Sequence, residues 1–561
     1  MVKKIWNFLN KEFHGVNEAA LLLGGFAFAS QLLGLIRDRL LAHNVGAGPI
    51  LDVYYAAFRI PDFLYVSIAS LASITVLMPF LVERLKNGNN KLEAKRFLNN
   101  VFSAYMIFMF LASIVLFILM PYITNYIAPG FSDQQMLSLI KISRLMLLSP
   151  IFIGLSNLIG TITQLFKNFF AFSLSPVFYN LGIIIGIIFL YPFFGLSGLA
   201  IGVVIGAILH MSIQIPTIIR HGFFPKFKLK IDWPEIYKVI KLSLPRTLTL
   251  SAGSLAFIAL VAMASNLEDG SISLFTLSFN LQSVPVGIIG ISYSVAAFPI
   301  LVQSFSKKDM NNFIKQIIST MKQIIFWSFP IITLMIVLRA QIVRVVLGSG
   351  NFTWSDTRLT AASVALFVIS LITQSLVLLF IRGYYAAGNT KKPLIINVFS
   401  SILIVVFAYS LIQVFELFPE LLKQLEILLR VKGVEGTTML ALPIAYTLGS
   451  IINFTMIWKL FKKDFLRKRR TGVRATFFDV TAASLVMGIV AYLILNVLSN
   501  VFNLEIFFGI FLQGFIAGII GIAVGVFVLV LLKNKELLAL SKAIKKKFWR
   551  NRIVSPEQQG L

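Results

Sequence analysis

From Asn17 to Leu532 the chain alternates long apolar runs with short polar loops, and this alternation restricts the fold more than any other feature. A helix needs roughly 20 apolar residues to cross a bilayer, and with no water in the lipid core the backbone must bond to itself. Fourteen runs meet that requirement, at 17–44, 50–82, 99–124, 138–165, 172–192, 195–219, 238–265, 271–304, 317–347, 359–387, 393–414, 440–461, 475–499 and 506–532. Hydrophobic residues make up 58% of the chain and charged ones 13%, far from the balance of a soluble domain. The net charge of +27 would suggest nucleic acid in a soluble protein, but here the basic residues crowd into loops between apolar runs.

Those loops set the orientation. Every second one is basic: "ERLKNGNNKLEAKR" at 83–96, "FKN" at 166–168, "RHGFFPKFKLKIDW" at 220–233, "SKKDM" at 306–310, "KK" at 391–392 and "KLFKKDFLRKRRTGVR" at 459–474. The intervening loops, among them "NVGAGPI", "NYIAPGFSDQQ", "YPFFGLSG" and "NLEDGS", are nearly free of Lys and Arg. Cytoplasmic loops are the basic ones, so both termini, including the tail "SKAIKKKFWRNR", are expected in the cytoplasm. The N-terminal segment has no small-residue cleavage site after a short apolar region and reads as retained. The outer loop 415–436 carries charge at helical spacing and predicts an amphipathic helix on the interface, while the alternating lysines of "PKFKLKIDWP" would snorkel to headgroups.

An internal echo suggests a repeat. Pro176 and Asn180 open the fifth run, and Pro393 and Asn397 open the eleventh, 217 positions on. Pro79 in "VLMPFLVERL" and Pro299 in "AAFPILVQSF" are 220 apart. Two echoes at nearly one offset, separated by an even number of spans, imply parallel lobes of the kind that rock about a midplane site. The expected fold is an all-α polytopic membrane protein of about fourteen transmembrane helices: two six-helix lobes in parallel repeat plus two C-terminal helices. The boundaries are 1–221 for the N-lobe, 222–237 for a cytoplasmic interfacial linker, 238–465 for the C-lobe, 466–534 for spans 13 and 14, and 535–561 for a basic cytoplasmic tail.

Charges within the first two runs need a reason. "LGLIRDRLLAHNVGAGPILDVYYAAFRIPDF" holds Arg37, Asp38, Arg39, Asp52, Arg59 and Asp62. Arg37 lies about 30 Å along its helix from Asn17, and Arg59 lies two turns beyond Asp52 on the same face, with a kink expected at Pro61. Arg37, Asp38, Asp52 and Arg59 can therefore meet at one depth, facing a bundle interior or a wet cavity rather than lipid. One reading is a salt-bridge cluster that fixes spans 1 and 2, with Arg39 and His43 interfacial. The other is a polar cavity whose guanidinium groups fork onto the phosphate oxygens of an anionic headgroup. Cysteine is absent, the four histidines are scattered, and no phosphate-binding loop or hydrolytic triad is present. Neither a metal nor a cofactor is expected, and the chain reads as a transporter without an ATPase motif.

This stretch resembles the start of the MurJ (MviN) lipid II flippases, whose pattern runs L-G-x-x-R-D, F-G-A-G, D-A-F-x-x-A-F and P-N. "SRLMLLSPIFIGLSNLIGTITQLFKNFFAFSLSPVFYNLGII", "LSLPRTLTL", "GSGNFTWSDTRLTAASVALFVISL" and "LLFIRGYYAAGNTKKP" resemble later parts of the same family, so the likeness covers most of the chain. The resemblance implies the MOP exporter fold and the flipping of an undecaprenyl-pyrophosphate-linked peptidoglycan precursor across a bacterial inner membrane by alternating access. It implies substrate binding by Arg37, Asp38, Asp52 and Arg59, with Asn280 and Arg382 as further candidates. The departures are specific. Gln31 follows Ser30 where the family has Arg; Tyr65 and Val66 follow Leu64 where it has basic residues; Ser70-Leu71 replaces Glu-Gly; and Asn280 falls where a basic residue precedes Pro285. No acidic residue lies inside spans 7, 11 or 12, so a family-type sodium site is not expected.

In the last run Gly514, Gly518, Gly521 and Gly525 form one stripe, which suits either close packing on span 13 or a groove for a polyprenyl tail. The implied partners are a lipid-linked anionic precursor and membrane lipids, with a monomer expected and envelope-synthesis proteins as further partners. Two rivals remain at this stage: another MOP-type exporter of lipid-linked oligosaccharide, and a non-transporting scaffold for envelope-synthesis enzymes.

Overall fold

In a computed structural model of the chain, residues 16–68, 74–86, 91–466 and 472–541 are described. The N-terminal 15 residues, the Ser70-Leu71 position, part of the basic 459–474 loop and nearly all of the basic tail lie outside them. The described residues are helical throughout, apart from turns and one extended linker. Among the described residues eleven helices are long and apolar enough to cross a bilayer. The pair Trp354–Val368 and Leu371–Ala386, bent by 43° at its break, is long and apolar enough to cross only when taken as one broken span. The two other expected spans are the Val16–Asn44 helix and a segment broken into Pro49–Ala57, Arg59–Ile68 and Ile74–Lys86.

The break in the second span has a local cause. Pro61 has no N–H to give to the carbonyl of Ala57, so the helix that starts at Pro49 ends at Ala57 and restarts at Arg59. Two short π-helical turns, Gly186–Leu190 and Val286–Ile291, interrupt other long helices, and a third, Lys462–Leu466, follows directly on Ala441–Phe461. The expected interfacial helix is Pro419–Leu429; none of its residues is buried, and Leu421, Ile427 and Leu428 stand exposed on it.

The chain divides into two compact units. One comprises Met1–Ser278, Val346–Thr360 and Thr390–Gly449. Within it, the Phe169–Ile185 and Leu196–Ser212 helices cross with glycine on both sides: a Cβ on Gly186 would stand 2.5 Å from the Gly202 Cα, and one on Gly182 would overlap Gly206. The 225–234 linker is stitched to the Lys91–Ile127 helix. Lys226 N–H donates to Asn99 Oδ1 (2.7 Å), Lys228 N–H to Ser103 Oγ (2.8 Å), and Asp232 N–H to Asn100 Oδ1 (2.8 Å). Arg84 closes the same edge, donating to Glu235 at 2.6 Å and lying 4.4 Å over the Phe97 ring.

The other unit comprises Phe279–Val345, Ala361–Asn389 and Ser450–Leu561. Its last two helices, Val473–Leu498 and Phe507–Leu531, pack on Met310–Val337 through Phe326, Val480, Ala483 and Leu529. An aromatic cluster of Phe380, Tyr384, Phe461 and Phe465 holds the Leu371–Ala386 helix beside the end of Ala441–Phe461.

Candidate functional site

Arg37 sits near the end of the Val16–Asn44 helix, half-buried. Its Nε and Nη2 donate to Asp38 Oδ1 at 2.9 and 2.8 Å, and its Nη1 donates to Asn180 Oδ1 at 3.1 Å. Residues i and i+1 point apart on a helix, so the long side chain must fold back to reach its neighbour. Asn180 is held in turn: its amide donates to the Ser30 carbonyl (3.3 Å), the Ser30 hydroxyl (3.2 Å) and the Pro176 carbonyl (3.1 Å). The side chain of Arg37 is 23% exposed against 4% for Asp38. Three of the five guanidinium N–H groups are thus taken, and one on each terminal nitrogen has no partner among the described residues.

Asp52 serves a different end. Its carboxylate accepts from Gly270 N–H (2.6 Å), Ser273 N–H (2.7 Å) and Ser273 Oγ–H (2.5 Å). It satisfies free N–H groups at the start of the Ser271–Pro285 helix, where the helix dipole favours negative charge. The backbone nearby is tightly fitted. Gly270 has φ +92 with the Ala47 carbonyl 3.2 Å from where a Cβ would sit; Gly46 has φ +80 and faces the Asn351 carbonyl at 2.8 Å. Asn351 N–H donates to the His43 carbonyl and its side-chain amide to the Asn44 carbonyl, both at 3.0 Å.

Arg59 lies at the break in the second span. Its Nε donates to the Tyr55 carbonyl (3.1 Å), and the guanidinium stands 4.5 Å over the Phe257 ring. Its terminal nitrogens have no acceptor among the described residues. Asp62, one turn on, is exposed and makes no side-chain hydrogen bond or ion pair among them. Beside it Tyr65 Oη accepts from Asn157 Nδ2 at 2.7 Å.

The four primary candidates therefore do not form one ion-paired cluster. Arg37 and Asp38 pair; Asp52 is spent on backbone amides near residue 270; Arg59 is held by a carbonyl and an aromatic face. Among the further candidates, Arg382 donates to Ser294 Oγ (3.2 Å) and lies 5.7 Å from the Phe298 ring centre, while Asn280 is half-buried on the Ser271–Pro285 helix. Gly514 and Gly518 are buried. A Cβ on Gly514 would meet Gln341 at 3.1 Å and one on Gly518 would meet Leu338 at 3.4 Å, so this part of the stripe faces a neighbouring segment. Sequence reasoning missed the bridging role of Asn180, the platform under Arg59 and the partner of Asp52. Only the first left a signal, as the Pro176/Asn180 echo.

The family description "Lipid II flippase MurJ" matches residues 41–419, more than half of the chain. The chain belongs to the MurJ lipid II flippase family. Among curated members of that family, a probable lipid II flippase MurJ of Buchnera aphidicola subsp. Baizongia pistaciae is 26% identical over 491 residues, covering 86% of this chain and 90% of the relative. A lipid II flippase MurJ of Burkholderia cenocepacia is 24% identical over 383 residues, covering 67% and 74%. Among solved structures, "Lipid II flippase MurJ, inward closed conformation" superposes with a TM-score of 0.71 at 23% identity, over 93% of this chain and 99% of that one. An inward-facing multidrug resistance MATE family transporter of the MOP superfamily superposes with a TM-score of 0.59 at 15% identity, over 80% and 100%. The fold shared with these solved MurJ and MATE structures agrees with the all-α polytopic architecture read from the apolar runs.

Proposed function

We propose that this MurJ-family protein flips lipid II across a bacterial cytoplasmic membrane by alternating access, and that Arg37 and Arg59 hold the pyrophosphate. The observation that carries the site assignment is the state of the two guanidinium groups. Each sits within a membrane-spanning segment; Arg59 is fixed through Nε with both terminal nitrogens lacking an acceptor among the described residues, while Arg37 is held at all three nitrogens by Asp38 and Asn180 and keeps one further N–H on each terminal nitrogen. Such groups at membrane depth call for an anion, and a planar fork matches phosphate oxygens. Asp38 is the internal competitor. It occupies one edge of Arg37 while no substrate is present, and it would yield part of that contact when phosphate arrives.

Asp52 supports the transport cycle rather than the binding step. Its three bonds to residues 270–273 draw loops at the outer end together, which would close the outer exit while a headgroup is taken up from the cytoplasmic side. Opening that exit requires breaking these bonds. The family arginines missing at Gln31, Tyr65 and Asn280 leave a smaller cationic set, so Arg37 and Arg59 carry more of the anion binding. We further read the protein as a monomer of two six-span lobes in parallel repeat, with both termini cytoplasmic.

The test is rescue of cells depleted of their own lipid II flippase, paired with measured flipping of labelled lipid II. The wild-type chain should rescue. Arg37→Ala and Arg59→Ala should insert at normal levels and fail to flip. Full flipping by both alanine variants would remove the phosphate role, and failure of the wild-type chain to rescue would point to a different lipid-linked cargo.

A further inference from the structure

We propose that a second lipid site lies on the first unit, taking an anionic glycerophospholipid of the outer leaflet. It is a groove of about 950 Å³ between the Lys91–Ile127 helix, the Asp133–Leu165 span and the turn at 194–197. Its walls are apolar and open to the bilayer: Phe110 is 59% exposed, Leu137 70% and Phe194 60%. Four polar side chains lie in it: Lys141, Arg144, Ser113 and Ser197.

The polar groups form a floor that apolar lipid tails do not explain. Lys141 and Arg144 lie about 12 and 16 Å along the helix from Asp133, one turn apart on one face. Cations at such depth ordinarily reach up to the water layer. Arg144 does not. Its Nε donates to the Phe117 carbonyl at 2.9 Å and its guanidinium lies 4.5 Å over the Phe117 ring, which fixes the group across the groove with its terminal nitrogens unpaired among the described residues. Ser113, one turn before Phe117, is 9% exposed, and its buried hydroxyl oxygen has no hydrogen-bond partner among the described residues. A buried hydroxyl without a partner is costly and points to a missing one. Lys141 is exposed and makes no ion pair or hydrogen bond among the described residues.

A fixed fork, an unpartnered hydroxyl and a free ammonium line one groove, which suits an anion, and the walls require that anion to carry tails. A phosphodiester with two acyl chains meets both demands. The pair of cations selects its headgroup. A zwitterionic lipid would bring its own ammonium against Lys141, whereas phosphatidylglycerol brings no second positive charge. The basic-loop asymmetry places the groove in the outer leaflet. It opens directly to the bilayer through exposed walls, so abundant phospholipid reaches it without a conformational step.

The full chain, equilibrated in nanodiscs of equal phosphatidylglycerol and phosphatidylcholine, is extracted in mild detergent, and its retained lipid is counted by native mass spectrometry. Phosphatidylglycerol should be retained over phosphatidylcholine by about tenfold, the scale of one charge-assisted contact. Lys141→Gln with Arg144→Gln should erase the preference. Ser113→Phe, which fills the groove and keeps both cations, should lower retention of both lipids. Lys141→Glu alters only an exposed side chain and tests charge even if the double variant folds poorly; it should reverse the preference. Equal retention of the two lipids by the wild-type chain, or an unchanged preference in Lys141→Glu, would overturn the proposal. So would displacement of phosphatidylglycerol by trace undecaprenyl phosphate, which would make the groove a polyprenyl site.

Discussion

Replacing Asp52 by alanine should open the outer side of the protein. The carboxylate accepts three hydrogen bonds at 2.5 to 2.7 Å, and two of the donors are buried backbone amides that keep no other acceptor in view. Hydrogen bonds to a charged group contribute about 1.5–3 kcal/mol each, and their losses are not additive. Counting only two at the lower bound gives about 3 kcal/mol, which at 1.4 kcal/mol per tenfold moves a closed–open equilibrium by more than a hundredfold. The chain has no native cysteine, so a single Ala57→Cys reporter, 1% exposed in the wild-type fold, reads that equilibrium through its rate of labelling by an impermeant maleimide added outside. Labelling should accelerate at least tenfold in Asp52→Ala. Asp52→Asn should do the same in smaller measure, because its amide turns a donor toward one of the two N–H groups. Leu98→Cys, also 1% exposed, is the control for unfolding and should stay unlabelled. Labelling at the wild-type rate, with flipping intact, would refute the latch: the three bonds would then only trim a loop.

Arg37→Lys and Arg59→Lys should recover flipping only in part, because an ammonium cannot make the two-pronged contact with phosphate. The swap Arg37→Asp with Asp38→Arg should keep the protein folded and abolish transport; retained transport would assign the pair a structural role. A cysteine at Ser541 should react with impermeant reagent only from the cytoplasmic side, and labelling from outside would overturn the orientation. Gly182→Ala drives a methyl group into Gly206, so it should destabilise by about 1–3 kcal/mol, seen as a lower Tm in detergent. An unchanged Tm would mean that the crossing relaxes freely.

The spans were legible because lipid imposes one rule on every residue of a crossing segment, and that rule repeats along the chain. The exposed helix at Pro419–Leu429 was legible for the same kind of reason, a periodic pattern within a short window. The site was legible only where its parts are local. Charge at membrane depth flagged Arg37, Asp52 and Arg59, but not what each would meet. Asn180 reaches Arg37 across 143 residues, and no pattern around either residue encodes that meeting. Asp52 was misgrouped with the arginines for a deeper reason: two of its partners are backbone amides, which every residue but proline supplies. The glycine crossing was in plain sight, since Gly182 and Gly186 face Gly198, Gly202 and Gly206 at spacings of four, and it went unread beside the stripe in the last span.

That crossing has a mechanical consequence. With almost no side chain between them, the Phe169–Ile185 and Leu196–Ser212 helices mesh like two notched rods. A slip of one residue would push Ile183, Ile205 or Val203 into a gap made for hydrogen atoms, so the rods cannot slide and must turn together. Asn180 projects from the first rod two residues before Gly182, and Arg37 hangs from Asn180. The cation proposed to meet the phosphate is therefore indexed to a pair of helices that behaves as one stiff arm, and whatever rotates that arm delivers the guanidinium with it.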